Sequence, residues 1–196
     1  MNFMNTNSLK SRDLLWAEQI RNDNRLAFSH LFDAYYEPLC DYAYRYVKHP
    51  ETMEDIVQEV FVRIWEKRKH WEPKVSVRAY LYRSVYNEVV TDFRKKRFET
   101  HYEDFHDLEQ AQSCVSPLDE LHNRETARAI GRAIEMLPDR RKEILVLRLL
   151  QGLSYKEISA ILNISVNTVD TQIRRALKLL RIQLKDFALD PDPARA

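Results

Sequence analysis

The chain has 196 residues with only 2 Gly and 7 Pro, a scarcity of turn formers that excludes a turn-rich β protein and points to helices. No apolar run approaches the ~18 residues that span a bilayer, the polar start MNFMNTNSLKSRD lacks a signal-peptide core, and Cys40 and Cys114 have no metal-ligand spacing, so a soluble cytoplasmic protein with reduced thiols is expected. The net charge of +1 conceals segregation: residues 63–97 hold 11 Lys/Arg against 4 Asp/Glu, residues 98–123 hold 7 acidic residues and no Lys or Arg, and residues 124–185 hold 13 basic against 6 acidic. Two basic segments around an acidic spacer suit two polyanion-binding modules, although charged helix faces are often merely solvated.

In chain order, residues 1–21 read as a loosely ordered N-terminal lead-in. From Leu26 to Val47 apolar residues recur at helical spacing (Phe28, Leu31, Phe32, Tyr35, Leu39, Tyr42, Ala43, Tyr46), with Pro38 marking a kink or break and His49-Pro50 closing the segment. A helix is expected next from about Met53 to Lys69, with Ile56, Val57, Val60, Phe61, Ile64 and Trp65 as its apolar stripe. Pro73 interrupts, and separate helices follow at about Val77–Val85 and Glu88–Arg97. Residues 99–123 lack sustained periodicity, carry charge of one sign and contain Ser-Pro, which reads as a flexible acidic linker. Arg124–Leu137 is expected as a helix ended by Pro138, and Arg140–Leu150 as the next one. The expected fold is all-α: two small helical domains, 22–98 and 124–186, joined by the linker and followed by a tail at 187–196. Neither domain is long enough to bury a large core.

The sharpest local pattern runs from Ser154 to Leu184. Ser154-Tyr155-Lys156-Glu157 is a capping box that opens a short helix with Ile158, Ile161 and Leu162 inward. Asn163 sits where the chain must turn through a left-handed residue. Ser165 then caps a second helix whose apolar residues, Val166, Val169, Ile173, Leu177, Leu180 and Leu184, fall on one face. The opposite face carries Thr168, Thr171, Arg175 and Lys178, flanked by Asn167, Gln172 and Arg174. This is the pattern of a helix-turn-helix, whose second helix enters the major groove: Thr, Gln and Arg can read base edges there, while Lys178 and Arg181 suit phosphates.

Three stretches carry a family resemblance. Asp55-Ile56-Val57-Gln58-Glu59-Val60-Phe61 resembles the region-two helix of the sigma-70 family. Tyr80-Leu81-Tyr82-Arg83-Ser84-Val85-Tyr86-Asn87, followed by Asp92-Phe93-Arg94-Lys95-Lys96, resembles the promoter-melting part of that region. Leu137-Pro138-Asp139-Arg140 and Gly152-Leu153-Ser154-Tyr155-Lys156-Glu157-Ile158, with the helix after them, resemble region four. The resemblance covers roughly residues 22–98 and 124–185 in order, and the acidic linker stands where larger members carry region three. That organisation is similar to the extracytoplasmic-function group.

What the resemblance implies is a subunit that lends RNA polymerase promoter specificity, with no catalysis of its own, no cofactor and no small-molecule substrate. Core polymerase would be bound by Asp55, Gln58 and Glu59, which fall on one helix face, although a solvated face explains them equally well. Capture of an unstacked base of the −10 element needs planar groups for stacking and positive charge for the backbone. Trp71, Tyr80, Tyr82, Arg83, Tyr86 and Asn87 lie in the matching segment, with Arg94, Lys95, Lys96 and Arg97 to hold the backbone, and 10 of the 21 aromatics fall between Phe61 and Phe105. Leu81, Val85 and at least one of Tyr80 and Tyr82 are expected in the core, and Asn87 at the break between two helices. The −35 element would be read by Asn167, Thr168, Thr171, Gln172, Arg174, Arg175 and Lys178. The group's usual control by an anti-sigma partner, often membrane-bound, is implied as well.

This sequence departs from the family pattern at Ser159, where Ala is usual, and Asn163, where Gly is usual. Asp170 on the second helix would repel phosphate, unless it accepts from a cytosine amine or pairs with Arg174 one turn on. Two other readings compete. A helix-turn-helix regulator acting without polymerase leaves residues 53–97 without a task. A zinc enzyme would need His101, His106, Cys114 and His122 as ligands, and their spacings of five, eight and eight match no common pattern.

Overall fold

The computed structural model describes residues 6–99 and 130–188, with side chains over 9–94 and 130–184. Of the stretch expected as the acidic linker all but Glu99, which ends α4, lies outside the described residues, as do the start of the helix expected from Arg124 and most of the tail. The chain divides into two compact units, one built on the N-terminal helices and one on the C-terminal helices. Among the described residues every regular element is helical, as the all-α expectation requires. No helix among them is long and apolar enough to cross a membrane.

The N-terminal unit contains α1 (Thr6–Arg21), α2 (Arg25–Tyr44), α3 (Pro50–Glu66), a 3-10 turn (Arg68–His70) and α4 (Val77–Glu99). Helix α1 corrects the expectation of a loose lead-in: Asp13, Ala17 and Ile20 are buried. Asp13 accepts a hydrogen bond from the buried Tyr35 hydroxyl on α2 and an ion pair from Arg12 at 3.1 Å. The Trp16 ring lies 5.9 Å from His30, with the Arg12 guanidinium stacked over it at 4.3 Å. The helix was hidden from pattern reading because its most apolar pair, Leu14 and Leu15, faces solvent. Its inward face holds a carboxylate instead.

Asp23, at φ 64°, and Asn24 turn the chain into α2, where the Asn24 side chain accepts from the Ala27 amide at 3.1 Å. Helix α2 runs unbroken through Pro38, against the expected kink or break. Proline there cannot donate to the carbonyl four residues back, but Leu31, Tyr35, Leu39, Tyr42 and Ala43 bury on both sides of it and hold the helix together. Pro50 stands in the first turn of α3, where its missing N–H costs nothing. Ile56, Val57, Val60, Phe61 and Ile64 are buried as the stripe demanded.

Helix α4 is continuous, which overturns the expected break at residues 86–87. Its core column Val77, Leu81, Val85 and Val89 advances by four residues at each step, straight across the proposed break. The Ser76 hydroxyl caps the start by accepting from the Ala79 amide at 3.0 Å. Of the pair expected to contribute to the core, Tyr82 is buried and Tyr80 exposed.

The C-terminal unit contains α5 (described over 130–135), α6 (Asp139–Leu149), α7 (Tyr155–Leu162) and α8 (Val166–Ala188). Pro138 precedes α6 as expected. Gly152, at φ 58°, ends that helix region in the left-handed conformation, and the Leu153 amide turns back to the Leu147 carbonyl at 3.1 Å. Ala133, Leu137, Leu145, Ala176 and Leu180 form a core cluster, with Ile134, Leu179 and Leu184 packed against it.

Candidate polymerase and nucleic-acid surfaces

On α3 the face opposite the core is polar. Asp55, Gln58 and Glu59 are all exposed, and Val62 completes the stripe at the spacing i, i+3, i+4, i+7. Val62 was missed by sequence reasoning, which looked for polar residues only. Glu59 pairs with Arg63 at 2.9 Å, and Arg63 also reaches Glu88 on α4 at 2.5 Å, so the acidic strip is braced from beside it. The 3-10 turn after α3 is basic and anchored. Arg68 stacks over Trp65 at 4.4 Å and bonds Asp23, which Lys69 also bonds. Those hydrogen bonds, from Lys69 first and then Arg68, hold the Asp23 carboxyl below its ordinary value.

On α4, Tyr80, Arg83, Asn87, Thr91 and Arg94 are exposed and recur at spacings of three and four, which makes one stripe along the helix. The sequence reading supplied Arg83, Asn87 and Arg94, and placed Tyr80 in the same segment while expecting at least one of Tyr80 and Tyr82 in the core. Asn87 lies within the helix rather than at a break, with its carbonyl accepting from Thr91 at 2.8 Å. Two further expectations change. Trp71 is only 3% exposed, so it has no ring face free to stack a base; it packs edge-on against Tyr80 at 5.8 Å, and its carbonyl accepts from Arg21 at 3.3 Å. Tyr86 is half-buried, 6.3 Å from Tyr46, and points away from the stripe. Behind it, Tyr42 packs on Tyr82 at 5.1 Å, and burial pushes the Tyr82 hydroxyl up to about 12. Part of the aromatic density in this region is thus core: Phe61, Trp71 and Tyr82 are buried, while Tyr80 and Phe93 are exposed. Lys95, Lys96 and Arg97 lie on α4, and their side chains fall outside the described residues.

The helix-turn-helix forms as its local chemistry requires. Ser154 Oγ accepts from the Glu157 amide at 3.3 Å while the buried Glu157 carboxylate accepts from the Ser154 amide at 2.9 Å, which is the reciprocal capping box. Asn163 adopts φ 53°, the left-handed turn. Ser159 has a task that Ala would lack: its hydroxyl donates to the Ile164 carbonyl at 2.5 Å and ties the turn shut. Ser165 Oγ caps α8 by accepting from the Thr168 amide at 3.0 Å.

Along α8, Val169, Ile173, Ala176 and Leu180 are buried. Val166 and Leu177, expected on the same face, are exposed because they fall at its edge. Asn167, Thr168, Thr171, Arg174, Arg175 and Lys178 project outward together. Gln172 does not join them: it is half-buried, and its carbonyl accepts from Arg141 Nε of α6 at 3.2 Å. Asp170 pairs with Arg174 at 3.0 Å, the second of the alternatives open in the sequence. Among the described residues no group of three or more His, Cys, Asp or Glu is placed to hold a metal. His101, His106, Cys114 and His122 lie outside those residues.

Two polar helix stripes in one unit and a capped helix-turn-helix in the other stand beside what comparison with known proteins finds. Residues 31–99 match the model for sigma-70 region 2, and residues 127–180 match that for sigma-70 region 4. The ECF RNA polymerase sigma factor SigW of Bacillus subtilis is 30% identical over 182 residues, covering 87% of this chain and 95% of the relative. The ECF sigma-E factor of Escherichia coli is 27% identical over 172 residues, covering 84% and 90%. Among solved structures, CnrH in complex with the cytosolic domain of CnrY superposes with a TM-score of 0.60 at 24% identity, covering 89% of this chain and 98% of CnrH. The sigma factor RpoE in complex with the anti-sigma factor NepR from Bartonella quintana superposes at 0.56 and 21% identity, covering 84% and 98%. The chain belongs to the sigma-70 family and, within it, to the extracytoplasmic-function group of RNA polymerase sigma factors, which act in transcription initiation.

Proposed function

We propose that residues 22–98 bind core RNA polymerase and open the −10 element, and that residues 124–186 read the −35 element, with no chemistry catalysed by the chain itself. The observation that carries this reading is α8: behind a complete capping box and a left-handed Asn turn, six polar or basic side chains project from one face. Thr and Asn there suit base edges, and Arg175 and Lys178 suit guanine or phosphate. Gln172 is withheld by Arg141 and takes no part in base readout.

The α3 stripe of Asp55, Gln58, Glu59 and Val62 docks the polymerase, with polar and charged side chains along it and one exposed apolar side chain at its end. The α4 stripe takes the melted strand. Tyr80 supplies the stacking surface that Trp71 supports from behind, Asn87 a base-edge contact, and Arg83 and Arg94 the backbone charge, with Lys95, Lys96 and Arg97 continuing the basic run. Residues 99–123 bridge the two parts as an acidic tether that stays off DNA. The complex of RpoE with NepR supports a further expectation, that an anti-sigma partner holds this chain inactive in the cytoplasm.

Co-elution with purified bacterial core polymerase on size exclusion tests the reading, with wild type beside a Gln58→Ala/Glu59→Ala variant. Wild type travels with core and the variant does not, while Arg63 keeps its second partner Glu88 and so leaves the α3–α4 packing intact. Wild type eluting free of core, in the absence of an inhibitor, sinks the proposal and favours a helix-turn-helix regulator.

A further inference from the structure

This inference rests on α8 being the helix that enters the −35 major groove. An acid on a DNA-facing helix needs a reason, because it repels every phosphate it approaches. Asp170 and Arg174 stand one turn apart along one flank of α8, beside the outward row of Asn167, Thr171 and Lys178. The Asp170 carboxylate accepts from Arg174 Nε, with N–O distances of 3.1 and 3.0 Å to its two oxygens. Its side chain is 35% exposed, whereas that of Arg174 is 78% exposed. The pair is therefore anchored at the carboxylate and open at the guanidinium. Exposed pairs of this spacing add little to helix stability, so stability does not account for it.

The chemistry of the arginine fork does. A guanidinium has one Nε–H and two terminal amino groups, and only the first is engaged by Asp170. The two terminal nitrogens lie side by side with no hydrogen bond to any described residue, which is the donor pair that matches O6 and N7 of guanine. We propose that Asp170 is a positioning residue that holds Arg174 outstretched for end-on bidentate contact with one guanine of the −35 element. Its negative charge serves the same end, because it makes the adjacent phosphates a poor alternative for that arginine. The ligand is a guanine edge in duplex DNA rather than a sugar-phosphate backbone.

The test uses the full chain assembled with core polymerase, bound to promoters randomised across the −35 element at several salt concentrations. Wild type selects guanine at one position. Asp170→Asn and Arg174→Ala each lose about tenfold of that preference, the scale of one bidentate contact. The double variant loses no more than Arg174→Ala. Asp170→Asn also binds unselected sequences more tightly, with a steeper salt dependence, because the released arginine turns to phosphate. Arg174→Lys keeps the charge but not the fork, and loses the guanine preference too, so the inference does not hang on any one variant folding. A preference unchanged in Asp170→Asn, or affinity altered alike for all sequences, overturns the inference and leaves the −35 reading standing. Wild type without base preference anywhere in the element overturns both.

Discussion

Helix α1 gives the most decisive check on the N-terminal unit, because the same helix carries a buried and an exposed apolar residue. Ile20 is fully buried and Leu14 is 55% exposed. Truncating Ile20 to Ala deletes buried carbon worth about 0.8 kcal/mol per CH2, and the cavity left behind brings the loss to roughly 2–4 kcal/mol. A unit of this size is stable by about 5–14 kcal/mol, so the loss is a large share of the whole. With a urea m-value near 2 kcal/mol/M, the midpoint falls by about 1–2 M. Leu14→Ala, on the opposite face, changes stability by less than about 0.5 kcal/mol. All tryptophans of the chain, Trp16, Trp65 and Trp71, lie in the N-terminal unit, so fluorescence during urea unfolding reports that unit alone and avoids mixing two transitions. Equal small shifts for both variants would refute the reasoning and return α1 to a loose lead-in.

Three other outcomes follow from particular contacts. Tyr35→Phe withdraws the hydroxyl from buried Asp13, leaving that carboxylate with Arg12, and costs ~1–3 kcal/mol in the same fluorescence assay, more than an exposed Tyr44→Phe. The Tyr82 hydroxyl titrates near 12 when folded against an ordinary 10, so its neutral form stabilises the fold fully below pH 10. That contribution, on the order of 2 kcal/mol, disappears as the pH rises from 10 to about 12, and a Tyr82→Phe variant followed by circular dichroism loses less across that window. Gly152→Ala meets open space but must hold φ 58°, so calorimetry finds the C-terminal unit less stable by ~1–2 kcal/mol; an unchanged transition would deny that the left-handed turn matters.

The parts legible in the sequence were those whose signal is local. The capping box, the left-handed Asn163 and the Ser165 cap each involve residues within a few positions of one another, and each formed as expected. The buried stripe of α3 was equally plain, because its five apolar residues already lie on one face at helical spacing. What escaped depended on partners distant in sequence. Asp13 marks α1 as a core helix only because Tyr35, 22 residues away, supplies its hydrogen bond. Tyr80 and Trp71 could not be told apart for the same reason: both are aromatic in a basic segment, and only the fold decides that Trp71 goes under and Tyr80 lies on top.

Both interior breaks expected in the N-terminal helices failed to appear. Pro38 and the Tyr86-Asn87 pair were read as breaks, yet α2 and α4 run through both. A mid-helix proline costs about 3 kcal/mol, and a single Asn costs well under 1 kcal/mol relative to Ala. Each is outweighed where a column of buried side chains continues past it, since one fully buried Leu or Val contributes ~1.5–3 kcal/mol. Leu39, Tyr42 and Ala43 follow Pro38 into the core, and Val89 follows Asn87. The continuity of α4 bears on the proposed function, because an unbroken helix keeps Tyr80, Arg83, Asn87 and Arg94 in a single register. Had the helix broken at Asn87, the proposed base-edge group would sit on a loop and the basic run beyond it would point elsewhere. As one helix, the groups proposed to stack a base, to meet a base edge and to hold the backbone are spaced by the 1.5 Å rise of the helix itself, so on that proposal a strand laid along α4 would meet them in a fixed order.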